Sequence, residues 1–138
     1  MITLWKEGIH MNENVKKVLE EQLWYVATCG DEPNVVPMGF KKVMDDGTLA
    51  IGDVFMNMTL NNVLANGKIA ICVCNPATSE AYQIKGTAAY VTEGPVVDMF
   101  QAMAESVFKG ALKAKGAVVV TPEKVIVASP GPNNNKIL

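Results

Sequence analysis

The stretch LWYVATC-GDEPN-VVPMGFKKVM-DDG-TLAIGD, residues 23–53, decides the fold. Three runs rich in aromatic and β-branched residues are separated only by clusters of Gly, Asp, Pro and Asn. Connections of five and three residues are hairpin turns, and they are too short for the crossover that parallel neighbours need. Consecutive runs therefore pair antiparallel. A doubly wound α/β sheet would interpose a helix between them, and none fits.

The same texture continues downstream in KIAICVC (68–74), the loop NPATSE (75–80) and YQIKGTAAYV (82–91). The end of the chain is again extended, with AVVV (117–120) and KVIVASP (124–130) divided by a TPE break at 121–123. Helical spacing occurs in NENVKKVLEEQ (12–22), where Val15, Val18 and Leu19 share a side and Asn12 or Asn14 caps the start. It recurs in PVVDMFQAMAESVFKGALKA (95–114) and, briefly, at Leu60, Val63 and Leu64. Short strands joined by tight turns curl into a small barrel. The expected class is mainly β (α+β): a barrel of six or seven antiparallel strands with peripheral helices. A single domain spans 1–138, with 1–11 and 133–138 as flexible or dimer-associated ends.

Composition narrows the function. Hydrophobic residues make up 49% and charged residues 19%, which is enough to bury a core. The longest apolar runs, such as IAICVC (69–74), fall far short of the ~20 residues a membrane helix needs. A net charge of −2 with interspersed lysines makes no basic face for nucleic acid. Three cysteines (Cys29, Cys72, Cys74), without the basic-then-apolar order of a secretion signal, predict a reducing, cytoplasmic setting and buried, inert thiols. The one histidine, His10, leaves too few ligands for a four-ligand zinc site, so no metal is expected. It also excludes most histidine-dependent triads. No G-x-G-x-x-G, phosphate-loop or G-x-S-x-G motif occurs. Any redox or group-transfer chemistry would come from a bound cofactor.

Two stretches carry features suited to a ligand. In VVPMGFKK (35–42), Pro37 and Gly39 interrupt a strand. That is the mark of an edge with a bulge, or of a backbone left free for a flat heterocycle. In FMNMTLNNV (55–63), Thr59 stands at the start of a short helix with Asn62 one turn on. The pair reads either as a helix cap or as an anion site on free helix amides.

The order VVPMGFKKVMDDGTLAIGD, FMNMTLNNVLANGKIAICV and YQIKGTAAYVTEGP resembles the pyridoxamine 5′-phosphate oxidase-like, FMN-binding split-barrel flavoproteins. The likeness is to their small members, and it covers residues 20–136. It implies a cytoplasmic homodimer of split barrels with FMN at the interface, acting as an oxidoreductase or electron carrier. Pro37, Met38, Gly39, Phe40 and Lys41 would then lie along the isoalloxazine. Thr59 and Asn62 would lie at the ribityl phosphate, with the loop from Asp53 through Asn57 to Met58. The partner chain would close the groove with its second long helix or with residues 129–133. Alternatives are the same barrel with a deazaflavin or heme, or a cofactor-free binding module.

One position departs from the pattern. Small relatives often carry lysine before this threonine, whereas Met58 offers no charge, leaving Lys41, Lys85 or a lysine of the second chain to meet a phosphate. No residue stands out as a catalytic acid or base. Oxidation of pyridoxamine phosphate itself is not expected, because the chain has no arginine to clamp a second phosphate.

Overall fold

The computed structural model describes residues 3–5 and 8–138. The expected terminal segment 1–11 lies partly outside the described residues. In chain order the elements are β1 (Thr3–Trp5), β2 (Gly8–His10), α1 (Glu13–Glu21), β3 (Trp24–Cys29), β4 (Pro33–Met38) and β5 (Lys41–Val43). There follow β6 (Leu49–Asp53), α2 (Met58–Asn66), β7 (Lys68–Cys74), β8 (Ala81–Val91), α3 (Pro95–Phe108) and β9 (Gly116–Val127). β1 and β2 pair with each other as a separate hairpin. His10 closes β2, in a segment where the sequence shows no strand signal.

The other seven strands form one antiparallel sheet in the order β4-β3-β7-β8-β9-β6-β5. The run VVPMGFKKVM, expected as a single strand, is divided: β4 ends at Met38, β5 begins at Lys41, and the two stand at opposite edges. Three steps of chain reach at most about 11 Å. Six inter-strand spacings of ~4.8 Å would hold the edges of a flat sheet about 29 Å apart. The sheet must therefore curl, and residues 39–40 bridge the seam of the resulting half-barrel.

Inside the curl the core is aliphatic, built on Val26, Leu49, Ile51, Ile71, Ile84 and Val118. α1 plugs one end with Val15, Val18 and Leu19. Trp24 is fully buried there, and its indole N–H donates to the Leu19 carbonyl at 2.7 Å. A second apolar layer lies outside the sheet, where Val97, Phe100 and Ala104 of α3 cover Ala50 and Ala117. All five residues of β6 are buried because both its faces are covered. Its small outward residues, Ala50 and Gly52, let α3 approach.

The structure corrects three expectations. The TPE break is no break: Thr121 and Pro122 lie within β9, opposite Thr87 and Gly86. A register shift at Lys85/Gly86 accommodates the proline, which cannot donate to the ladder. A Cβ at position 86 would collide with the Thr121 carbonyl, so glycine is required there. The long second helix stops at Phe108, where Lys109 turns left-handed (φ 52°) ahead of Gly110. The cysteines are not all buried: Cys29 and Cys74 are exposed, and Cys72 is half-buried. Ile69, Ile71 and Val73 take the inward face of β7, and period-two alternation sends Cys72 and Cys74 outward. The Cys72 thiol is pushed up from its ordinary pKa, first by burial and then by Cys74.

Residues 133–138 return along β9. The Val127 N–H donates to the Lys136 carbonyl, and the Leu138 N–H to Val125. Among the described residues no helix is long and apolar enough to cross a membrane, and no three His, Cys, Asp or Glu residues gather as a metal site.

Candidate functional site

A groove of about 440 Å³ runs along the β4–β5 seam to the start of α2. It is of the size usual for small-molecule sites. One wall is residues 36–40, another is the loop 54–57, and Phe108 and Leu112 close the far side. No lining side chain is charged. The polar groups are Asn34, Asn57 and Thr59, gathered toward one end.

Phe40 fills the position where a residue other than glycine at 52 would place its Cβ. Its ring leans on Phe100, with centroids 5.2 Å apart, and on Phe108, at 6.0 Å. Its carbonyl accepts from the Gly52 N–H at 2.8 Å, so this part of the seam is paired rather than free. Met38 is the last β4 residue in register with β3, opposite Trp24. Gly39 and Phe40 lie between the two ladders.

At the polar end, α2 begins differently from the expectation. Asn57, not Thr59, is the N-cap, and its side chain caps nothing. The first intrahelical bond runs from the Asn61 N–H to the Asn57 carbonyl. The preceding amides of residues 58–60 remain at the helix start, where the macrodipole is positive. Thr59 is the second residue of the helix, only 2% exposed, and its Oγ1 accepts from Asn34 Nδ2 at 3.2 Å.

Behind the groove, Asp53 is completely buried. Its Oδ1 accepts from the Met56 N–H at 2.9 Å and its Oδ2 from the Tyr90 hydroxyl at 2.5 Å. The Lys115 N–H donates to its carbonyl at 2.8 Å. The carboxylate thus folds the loop 53–57 back on itself and pins it to β8. Burial, the bond to Asp53 and that residue's charge push the Tyr90 phenol up to about 12, so it stays a donor.

Of the ten residues expected at a site, the structure brings seven to the groove: Pro37, Met38, Gly39, Phe40, Asn57, Met58 and Thr59. Three are directed elsewhere. Lys41 Nζ donates to the Leu19 carbonyl at 3.0 Å and stands 5.3 Å from the Trp24 ring centroid, serving the end of α1. Its pKa is lowered mainly by burial, against the opposing effect of Glu20. Alternation explains the direction, because Phe40 takes the groove side and its neighbour takes the other. Asp53 supports the loop from below. Asn62 donates to Thr28 Oγ1 at 3.0 Å beneath α2. Lys85, the other lysine considered for a phosphate, is exposed on β8 between Ala70 and Lys124.

Sequence reasoning missed Asn34, Tyr90, Phe108 and Leu112. Asn34 reads as a turn residue in GDEPN, but the turn is only 30–32, and β4 already starts at Pro33. Tyr90 reads as one more aromatic strand residue.

A family model described as pyridoxamine 5′-phosphate oxidase matches residues 11–129. An uncharacterized protein of Methanocaldococcus jannaschii is 35% identical over 134 residues, covering 94% of this chain and 89% of that protein. Among solved structures, HupZ of Group A Streptococcus superposes with a TM-score of 0.79 at 25% identity, over 90% of this chain and 98% of that one. An FMN-binding protein of Syntrophomonas wolfei shares the fold at a TM-score of 0.69 and 15% identity, over 86% and 82% of the two chains.

Proposed function

The chain belongs to the pyridoxamine 5′-phosphate oxidase family, and from that premise we propose that it is a homodimeric, cytoplasmic FMN-binding protein acting as an oxidoreductase or electron carrier. The observation that carries the reading is the start of α2, with amides uncapped by any side chain, opening beside Thr59 onto the polar end of an apolar groove. An anionic tail on a flat, apolar ring system matches both ends of such a groove.

Residues 37–40 and Phe108 line the space for the ring, while the α2 amides and the Thr59 hydroxyl meet the phosphate. Bound FMN would supply the redox step by accepting and passing on a hydride or single electrons. The protein's part is to hold the ring against Met38 and Phe40, exclude water, and keep the loop 53–57 in shape. The donors at the phosphate end are neutral, so a partner's lysine completes the charge balance in the dimer.

Two apolar side chains at the groove, Phe55 (77% exposed) and Met58 (47%), stand in solvent in the single chain. A second copy covering them would close the groove. All twelve cationic side chains counted as Lys or Arg are lysines, and this argues against pyridoxamine phosphate as the substrate.

The test is the visible spectrum of the purified protein, followed by titration with FMN and sedimentation with and without it. Flavin absorbance and a dimer that tightens with FMN are expected. Colourless protein that refuses added FMN overturns the proposal, and uptake of a deazaflavin or heme instead reassigns the groove.

A further inference from the structure

We propose that Asn34 sets the direction of the Thr59 hydroxyl and thereby makes the polar end of the groove selective for an anion. The identity of that anion, a flavin phosphate, rests on the reading above.

A carboxamide nitrogen only donates, whereas a hydroxyl both donates and accepts. Asn34 Nδ2 lies 3.2 Å from Thr59 Oγ1 and 3.4 Å from Thr28 Oγ1. Asn62 Nδ2 lies 3.0 Å from the same Thr28 Oγ1. Every bond in the chain Asn62–Thr28–Asn34–Thr59 therefore runs from an amide nitrogen to a hydroxyl oxygen. With a lone pair of Thr59 Oγ1 taken by Asn34, its proton is left to be given away. Among the described residues Thr59 Oγ1 has no other partner, and both Asn34 and Thr59 line the groove.

The consequence is a set of donors at one end of the groove: the Thr59 O–H and the first amides of α2. An oxyanion accepts from all of them, and a neutral hydroxyl matches them less well. Asn34 needs no contact with the ligand for this. It is a positioning residue, buried to an intermediate degree on the edge strand β4, and its effect passes through Thr59.

The experiment compares FMN with riboflavin, which shares the ring and lacks the phosphate, in titrations of the wild-type dimer and of Asn34→Asp and Asn34→Ala. The Asp oxygen accepts the Thr59 proton and repels an anion. Asn34→Asp is therefore expected to lower the FMN-to-riboflavin affinity ratio at least about tenfold, and Asn34→Ala about threefold. Riboflavin binding, retained within about threefold, reports an intact groove. If Asn34→Asp no longer binds riboflavin, Asn34→Ala is decisive alone. In a Thr59→Val background Asn34→Ala should leave the ratio unchanged, which separates action through Thr59 from a general loss of structure. A wild-type protein that binds FMN while both single variants keep its ratio overturns this inference and leaves the flavin reading standing. A wild-type protein that takes up neither flavin overturns both.

Discussion

Two helices of this chain start on asparagine, and they start in opposite ways. At α1 the Asn12 carboxamide oxygen accepts from the N–H of Asn14 at 2.8 Å and of Val15 at 3.4 Å, closing the helix end with its own side chain. At α2 the N-cap Asn57 has φ −133° and ψ −84°, and its side chain makes no capping bond. The same residue type completes one helix and leaves the other open. α1 starts beside the barrel end, whereas α2 starts on the groove. Leaving a cap out costs stability. Here the omission leaves the first amides of the helix without a side-chain cap beside the groove.

Four variants test that contrast, from the largest expected effect to the smallest. Thr59→Val removes the hydroxyl at the open end. It should weaken FMN binding by about 2 kcal/mol, roughly thirtyfold in Kd, with a melting temperature close to wild type. An unchanged Kd would break the contrast, since the open end would then hold nothing.

Tyr90→Phe leaves the Asp53 carboxylate short of one buried donor. It should cost about 1.5 kcal/mol in denaturant unfolding and loosen FMN binding through the loop. The variant also has a pH signature. The Tyr90 phenol is raised in the folded protein from 10.0 to about 12. Its contribution is thus present in full below the unfolded value and is lost as the pH rises through that window. Tyr82, raised to about 12 by burial and by Glu80, titrates in the same window. Wild-type stability should therefore fall between pH 10 and 12, and Tyr90→Phe should flatten that fall without abolishing it. An equally steep fall in the variant would detach Tyr90 from Asp53.

Asn12→Ala removes the closed cap and should cost about 1 kcal/mol of stability. FMN affinity should not change, and a parallel loss of both would erase the distinction between the two helix starts. Met58→Lys adds a cation at the open end and should tighten FMN by about 0.5 kcal/mol, two- to threefold, without moving riboflavin. Tightening of both ligands would place the phosphate elsewhere.

Some of this organisation was legible along the chain. An asparagine cap at Asn12 or Asn14, the helical faces of α1 and α3, and the antiparallel pairing of residues 23–53 follow from turn chemistry and periodicity, which act over a few residues. Pro37 and Gly39 announced an irregular strand, though not that it crosses from one sheet edge to the other. Thr59 was found from its place at a helix start, as either a cap or an anion site. Its bond to Asn34, 25 residues away, was not legible. Lys41 was expected at the ligand from the family resemblance and for its charge, and it serves the end of α1, whose Leu19 is 22 residues distant.

The amino-acid sequence by itself determined that this is a mainly β chain of antiparallel strands with helices at known places, because strand alternation, hairpin turns and helix caps are local preferences. Only the tertiary structure decided which side of each strand faces the groove, that Tyr90 clasps Asp53 across 37 residues, and that Thr59 Oγ1 accepts from Asn34. Those outcomes depend on register and on the closing of the sheet. Both are settled by packing between distant segments, and no local pattern encodes them.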